Sequence, residues 1–156
     1  MLTRRTLLLS AAGVGVVGLA AASEPGKNLF YASITEASES TILSAPEALA
    51  RVEAGTLTLV DVRRPDEWQR TGSPRGALQL DLRRDDFLEA LRAEVGPDPM
   101  APVATICMRG VRSAKVANQM LQAGFQNVFD VSEGMLGSSA GPGWLKRGLP
   151  IVDYQV

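Results

Sequence analysis

The sequence predicts an α/β domain built on a mainly parallel sheet. Three observations carry this. Short apolar runs alternate with segments of helical periodicity between residues 45 and 131, the order that yields parallel strands joined by crossover helices. The strand-like runs are apolar almost throughout, as strands covered on both faces are. A chain of 156 residues with 46% hydrophobic and 21% charged content suits one globular domain.

Each element has its own local signal. Ser23 to about Thr41 is mixed and polar, with Pro25, Gly26 and a Ser/Glu cluster, and residues 23–43 read as a flexible leader to a domain over 44–156. Ser44 followed by Glu47 forms a capping box for a helix over Ala45–Glu53, which Gly55 ends. Leu57 to Val62 reads as a central strand. Pro65 to Gln69 suits a short helical turn, and Leu78 to Leu80 a short strand. Phe87, Leu88, Leu91 and Val95 recur at helical spacing within a helix over Asp85–Val95 that Gly96-Pro97 stops. Val103 to Ile106 is the next strand and runs directly into Cys107. A helix over Arg112–Ala123 buries Val116, Ala117, Met120 and Leu121, with Gly124 at its C-terminal cap. Val128 to Val131 is a further strand, the Gly- and Ser-rich stretch Gly134 to Gly143 a loop, and Trp144 to Arg147 a short final helix.

Residues 1–22 stand outside this domain. Met1 to Arg5 is a short positive start, and Thr6 to Ala22 carries no charge. Ala20-Ala21-Ala22 offers a cleavage site before Ser23, completing the three-part form of an export signal. The competing reading is an uncleaved anchor; the apolar run is short for a membrane-spanning helix, which needs ~20 residues. Thr3-Arg4-Arg5-Thr6-Leu7-Leu8 is similar to the twin-arginine export motif, although an ordinary secretory start also carries adjacent arginines. Both routes lead to the periplasm or another location outside a bacterial cytoplasm. After cleavage no stable membrane association is expected, and the protein is expected to be a monomer.

Composition excludes several chemistries. The chain has no His and one Cys. An internal disulfide is impossible, His-dependent catalysis is ruled out, and no metal site or other cofactor is expected. The net charge of −1 argues against a nucleic-acid partner.

The lone thiol lies in Thr105-Ile106-Cys107-Met108-Arg109-Gly110-Val111-Arg112-Ser113-Ala114. A residue at the C-terminal end of a central parallel strand sits where α/β proteins bind ligands. The chain then turns and opens a helix, whose free N–H groups can point at the sulfur or at an anion beside it. Gly110 permits the positive φ of a concave loop. Those N–H groups, with Arg109 and Arg112, favour thiolate over thiol and hold an oxyanion next to it. The segment therefore reads as a nucleophilic sulfur in an anion cradle that works without a His base. A lone Cys is more commonly a buried structural residue, but two arginines and a glycine so close to it are unlike a core.

These residues resemble the rhodanese (thiosulfate sulfurtransferase) family in its single-domain form. Cys107-Met108-Arg109-Gly110-Val111-Arg112-Ser113 looks like the family's C-x-x-G-x-R-S loop. Asp61 to Trp68 is similar to its D-x-R-x-x-x-E-aromatic signature, and Gly72 to Ala77 to its G-H-I-P-G-A segment. Gly124 to Val128 and Trp144 to Pro150 resemble its G-F-x-N-V and W-x-x-x-G-L-P motifs. The departures are Ser73 in place of His, the spacing around Arg75, Glu133-Gly134 in place of Gly-Gly, and a long Gly134–Trp144 stretch.

The resemblance implies a three-layer sandwich with helices on both faces of the sheet. It implies that Cys107 takes a sulfane sulfur from a small anionic donor, thiosulfate or a persulfide or polysulfide, and passes it as a persulfide to a thiol or cyanide. Arg109 and Arg112 would hold the donor, and the backbone of Met108, Gly110, Val111 and Ser113 would cradle the sulfur. Asp61 and Arg63 would support the site as a paired scaffold. A phosphatase of the same fold is the closest rival enzyme, but its loop is C-x5-R and this one is C-x4-R. An anion- or partner-binding or sensing module without catalysis is the rival from outside enzymology.

Overall fold

Five parallel strands in the order β1-β6-β5-β2-β4 form the centre of the molecule. The computed structural model describes residues 23–154, so residues 1–22, read in the sequence as an export signal, lie outside the described residues. In chain order the elements are α1 (Glu24–Ile34), β1 (Thr41–Ile42), α2 (Ala45–Glu53), β2 (Thr58–Asp61), α3 (Pro65–Thr71), β3 (Ser73–Pro74) and β4 (Leu78–Gln79). They continue as α4 (Phe87–Val95), β5 (Val103–Ile106), α5 (Val111–Gln122), β6 (Val128–Asp130) and β7 (Ile151–Val152). The α/β class and the parallel sheet are as the alternation predicts.

Side-chain alternation along the central strands builds two cores. Val60 and Val103 pack with Leu91 of α4 and Val116, Ala117 and Met120 of α5 on one face. Leu59, Ala104 and Ile106 pack with Ala45 and Ala48 of α2, Met135 and Trp144 on the other. Neighbouring residues of one strand thus enter opposite layers, as a strand's period of two requires. The three layers follow directly. Leu59 and Val60 pair across to Ala104 and Thr105, so β2 and β5 run side by side and end together.

One helix holds to the residue and two nearly so. α2 spans Ala45–Glu53, and its capping box is closed by Ser44 and Glu47. α5 runs over Val111–Gln122 and α4 over Phe87–Val95, each within two residues of the sequence boundaries.

Two expectations need correction, and one pairing is new. The leader contains α1, capped by Ser23 Oγ accepting from the Gly26 N–H at 3.2 Å. Pro25 suggested a broken chain, but in a first turn it has no helical acceptor to forfeit and its φ is already helical. Trp144 to Gly148 forms hydrogen-bonded turns rather than a helix, the Arg147 N–H reaching Gly143 O at 3.1 Å and the Gly148 N–H reaching Leu145 O at 3.0 Å. Ser73–Pro74 pairs antiparallel with Ile151–Val152 as a separate two-stranded sheet, which two-residue strands cannot signal through periodicity.

Candidate active site

β5 delivers Cys107 at its C-terminal end and α5 opens at Val111, with the loop Met108–Gly110 between them. Gly110 adopts φ 86°, and a Cβ there would strike the carbonyl of Ser132. The expected glycine requirement is therefore real and has two causes, the left-handed backbone and the close approach of the β6–β7 connection. That connection also grips the loop. The Met135 N–H donates to Cys107 O at 2.9 Å and the Leu136 N–H to Met108 O at 3.0 Å.

The loop's own N–H groups are free. Among the described residues, those of Met108 through Ser113 donate to no acceptor in the protein. Protein N–H groups left unpaired in a run call for an explanation. They belong to the loop and helix start that follow the strand carrying the only thiol, where an anion or a sulfur-bound negative charge would satisfy such donors.

Cys107 is itself nearly enclosed, at 1% exposure. It opens onto a cavity of about 190 Å³ lined by Tyr31, Glu67, Cys107, Met108, Arg109, Val111 and Arg112. The cavity thus brings Cys107, Met108, Arg109, Val111 and Arg112 together as the sequence predicts. Gly110 and Ser113 shape the loop instead: Ser113 is buried, and its hydroxyl donates to Gly110 O at 3.1 Å.

Both arginines arrive with carboxylate partners, which the sequence reading did not foresee. Arg112 donates to both oxygens of Glu67, at 2.7 Å and 2.6 Å. Burial would raise the Glu67 pKa, but the bonds from Arg112 and from the Arg64 N–H outweigh it and hold the carboxyl down at about 2. Arg112 in turn is shifted upward by Glu67, with the Cys107 charge as a further contribution. Arg109 donates to Glu24 at 3.2 Å and Asn28 at 3.2 Å, and lies over the Tyr31 ring at 5.3 Å. Glu67 belongs to the D-x-R-x-x-x-E signature and was legible there. Glu24, Asn28 and Tyr31 belong to the segment read as a leader, where no motif marks them.

Asp61 and Arg63 form the scaffold pair expected of them. Both are fully buried, and Arg63 Nη2 lies 2.7 Å from Asp61 Oδ2. Arg63 also donates to Gly72 O and Thr71 Oγ1, and the Ser73 hydroxyl completes Asp61 at 2.8 Å. Ser73, a departure from the family motif, thus supports the pair rather than the cavity. Glu133, another departure, is 2% exposed and accepts from Arg147 and from the N–H groups of Ala45 and Gly143. It ties the start of α2 to the Gly134–Gly143 loop and so holds the loop against Cys107.

Asp130, at the end of β6, was not singled out in the sequence. It is 1% exposed and accepts from the Ser132 hydroxyl at 2.6 Å, while its Oδ1 has no partner among the described residues. Burial pushes its pKa up to about 6, against the opposing hydrogen bond of Ser132. A raised carboxyl pKa means the folded state holds the proton more tightly than the unfolded chain. Its ionisation therefore costs little at pH 4 and its full amount above pH 6. Asp130→Asn is expected to stabilise the protein at pH 7 by about 1–3 kcal/mol and to change little at pH 4. Urea unfolding at the two pH values checks this, and equal effects at both would refute it.

Comparison with known proteins agrees with this geometry. A family model described as Rhodanese-like domain matches residues 44–140. A polysulfide-sulfur transferase homodimer from Wolinella succinogenes is 26% identical with a TM-score of 0.59, covering 95% of this chain and 92% of that one. A thiosulfate sulfurtransferase from Pseudomonas aeruginosa is 27% identical with a TM-score of 0.58, over 75% of this chain and 21% of that one. An uncharacterized Rickettsia prowazekii protein is 29% identical over 102 residues, 59% of this chain and 80% of its own. With the model matched over more than half its length and a sulfur-bearing loop laid out as that family's is, this chain belongs to the rhodanese-like domain family.

Proposed function

We propose that the protein is a sulfurtransferase that carries a sulfane sulfur on Cys107, taken from thiosulfate or a persulfide or polysulfide. The observation that carries this reading is the run of unpaired N–H groups from Met108 to Ser113 around the sole thiol. A bound sulfur extends the side chain into the cavity, and a terminal persulfide sulfur bears negative charge that those donors stabilise.

The chemistry balances without a cofactor. The Cys107 thiolate attacks the outer sulfur of the donor, a new S–S bond forms, and the donor's own S–S bond breaks with the electron pair leaving on sulfite, on the persulfide donor's thiolate or on the shortened polysulfide. An acceptor thiolate or cyanide then attacks the outer sulfur and returns the Cys107 thiolate. Arg112 and Arg109 orient the donor from the walls. The proposed place of action is outside the cytoplasm, on the strength of the charged start, the apolar run and Ala20-Ala21-Ala22.

Intact mass after incubation with thiosulfate or polysulfide tests the reading. One added sulfur atom is expected, removed again by excess cyanide with release of thiocyanate. Binding of the donor with no added mass would favour an anion-binding or sensing module. Turnover of phosphate esters would favour the phosphatase, against the short C-x4-R loop.

A further inference from the structure

Both arginines of the sulfur pocket are already paired before any donor enters. Two guanidinium groups line it, and each faces one carboxylate: Arg112 faces Glu67, and Arg109 faces Glu24. The two carboxylates differ in freedom. Glu67 is 5% exposed at its side chain and is further held by the Arg64 N–H at 3.1 Å. Glu24 is 62% exposed, and its other oxygen is shared with Lys27 at 3.0 Å. Arg109 is only 11% exposed at its side chain, because α1 lies over it. Glu24 is thus a solvent-accessible anion seated on the pocket cation that α1 covers.

Resting on the sulfurtransferase reading, we propose that Glu24 is a specificity-determining residue. It occupies Arg109 as an anionic donor would, and so disfavours charged donors relative to neutral ones. Asn28 and Tyr31 hold Arg109 in place for this exchange, by a hydrogen bond at 3.2 Å and by the ring beneath the guanidinium at 5.3 Å. An anion that binds Arg109 competes with the Glu24 carboxylate, whereas a neutral molecule does not. The family model begins at residue 44, so α1 adds this discrimination from outside the matched domain.

Cys107 is the only thiol, so alkylation of the full-length protein by two small reagents reads the pocket's charge directly. Iodoacetate is anionic and iodoacetamide neutral, and both form the same kind of thioether at Cys107. Glu24→Gln keeps the size and one acceptor oxygen and removes the charge. The ratio of iodoacetate to iodoacetamide rates is expected to rise by about 3- to 10-fold in this variant. Glu94→Gln, an exposed α4 substitution with the same change in net charge, is expected to leave the ratio unchanged. An unchanged ratio in Glu24→Gln, or an equal rise in Glu94→Gln, would overturn the proposal. Alkylation requires no sulfur donor, so its outcome stands apart from the persulfide measurement.

Discussion

Cys107→Ser is expected to abolish sulfur transfer, lowering turnover by about 10³-fold or more because no other side chain can hold the transferred atom. A hydroxyl is a poor nucleophile at neutral pH, and this chain has no His to activate one. The fold should survive. The change is nearly isosteric, and stability is expected to fall by about 1 kcal/mol, the scale of placing a hydroxyl where an enclosed thiol stood. Activity assays beside a urea unfolding curve separate the two effects. A Ser variant that keeps a tenth of the activity would remove Cys107 from the role of sulfur carrier. Loss of folding in the same variant would instead make the thiol a packing residue of the core it borders.

Arg63→Met is expected to cost about 3–5 kcal/mol, the largest stability effect among the changes considered. The size follows from what is left behind. Asp61 is fully buried, and Arg63 is its charge partner through Nε and Nη2. Removing the guanidinium leaves a carboxylate with only the Ser73 hydroxyl and the Arg63 N–H for company. It also frees Gly72 O and Thr71 Oγ1, so the end of α3 loses its anchor. Asp61→Asn combined with Arg63→Met removes the stranded charge and should recover a large part of the loss. Urea midpoints of the two variants check this. If the double variant is no more stable than the single one, the cost lies in packing of the arginine stem rather than in the ion pair. Asp61 pairs in register with Ile106, the residue before Cys107, so this scaffold sets the strand ends from which the loop departs.

Much of the site was readable because its chemistry is local. Cys107, Arg109, Gly110, Arg112 and Ser113 lie within seven consecutive residues, and the strand before them and the helix after them are written in apolar periodicity. The same holds for α2, where Ser44, Glu47 and Gly55 mark both ends. The short strands β1, β3 and β7 were not readable, since two residues carry no period; β4, equally short, was marked only by the alternation of Leu78 and Leu80. Helix α1 was obscured by Pro25 and Gly26, which signal a turn unless their place in a first helical turn is recognised.

The amino-acid order by itself determined the parallel α/β core, the position of the only thiol at a strand end and the left-handed glycine beside it. Each of these depends on residues close in the chain and on burial patterns that any parallel sheet imposes. The state of the two arginines was decided only by tertiary structure. Glu67 reaches Arg112 across 45 positions, and Glu24 reaches Arg109 across 85. Sequence counts charges, but whether a guanidinium is free or already neutralised depends on which carboxylate folding brings within hydrogen-bonding distance.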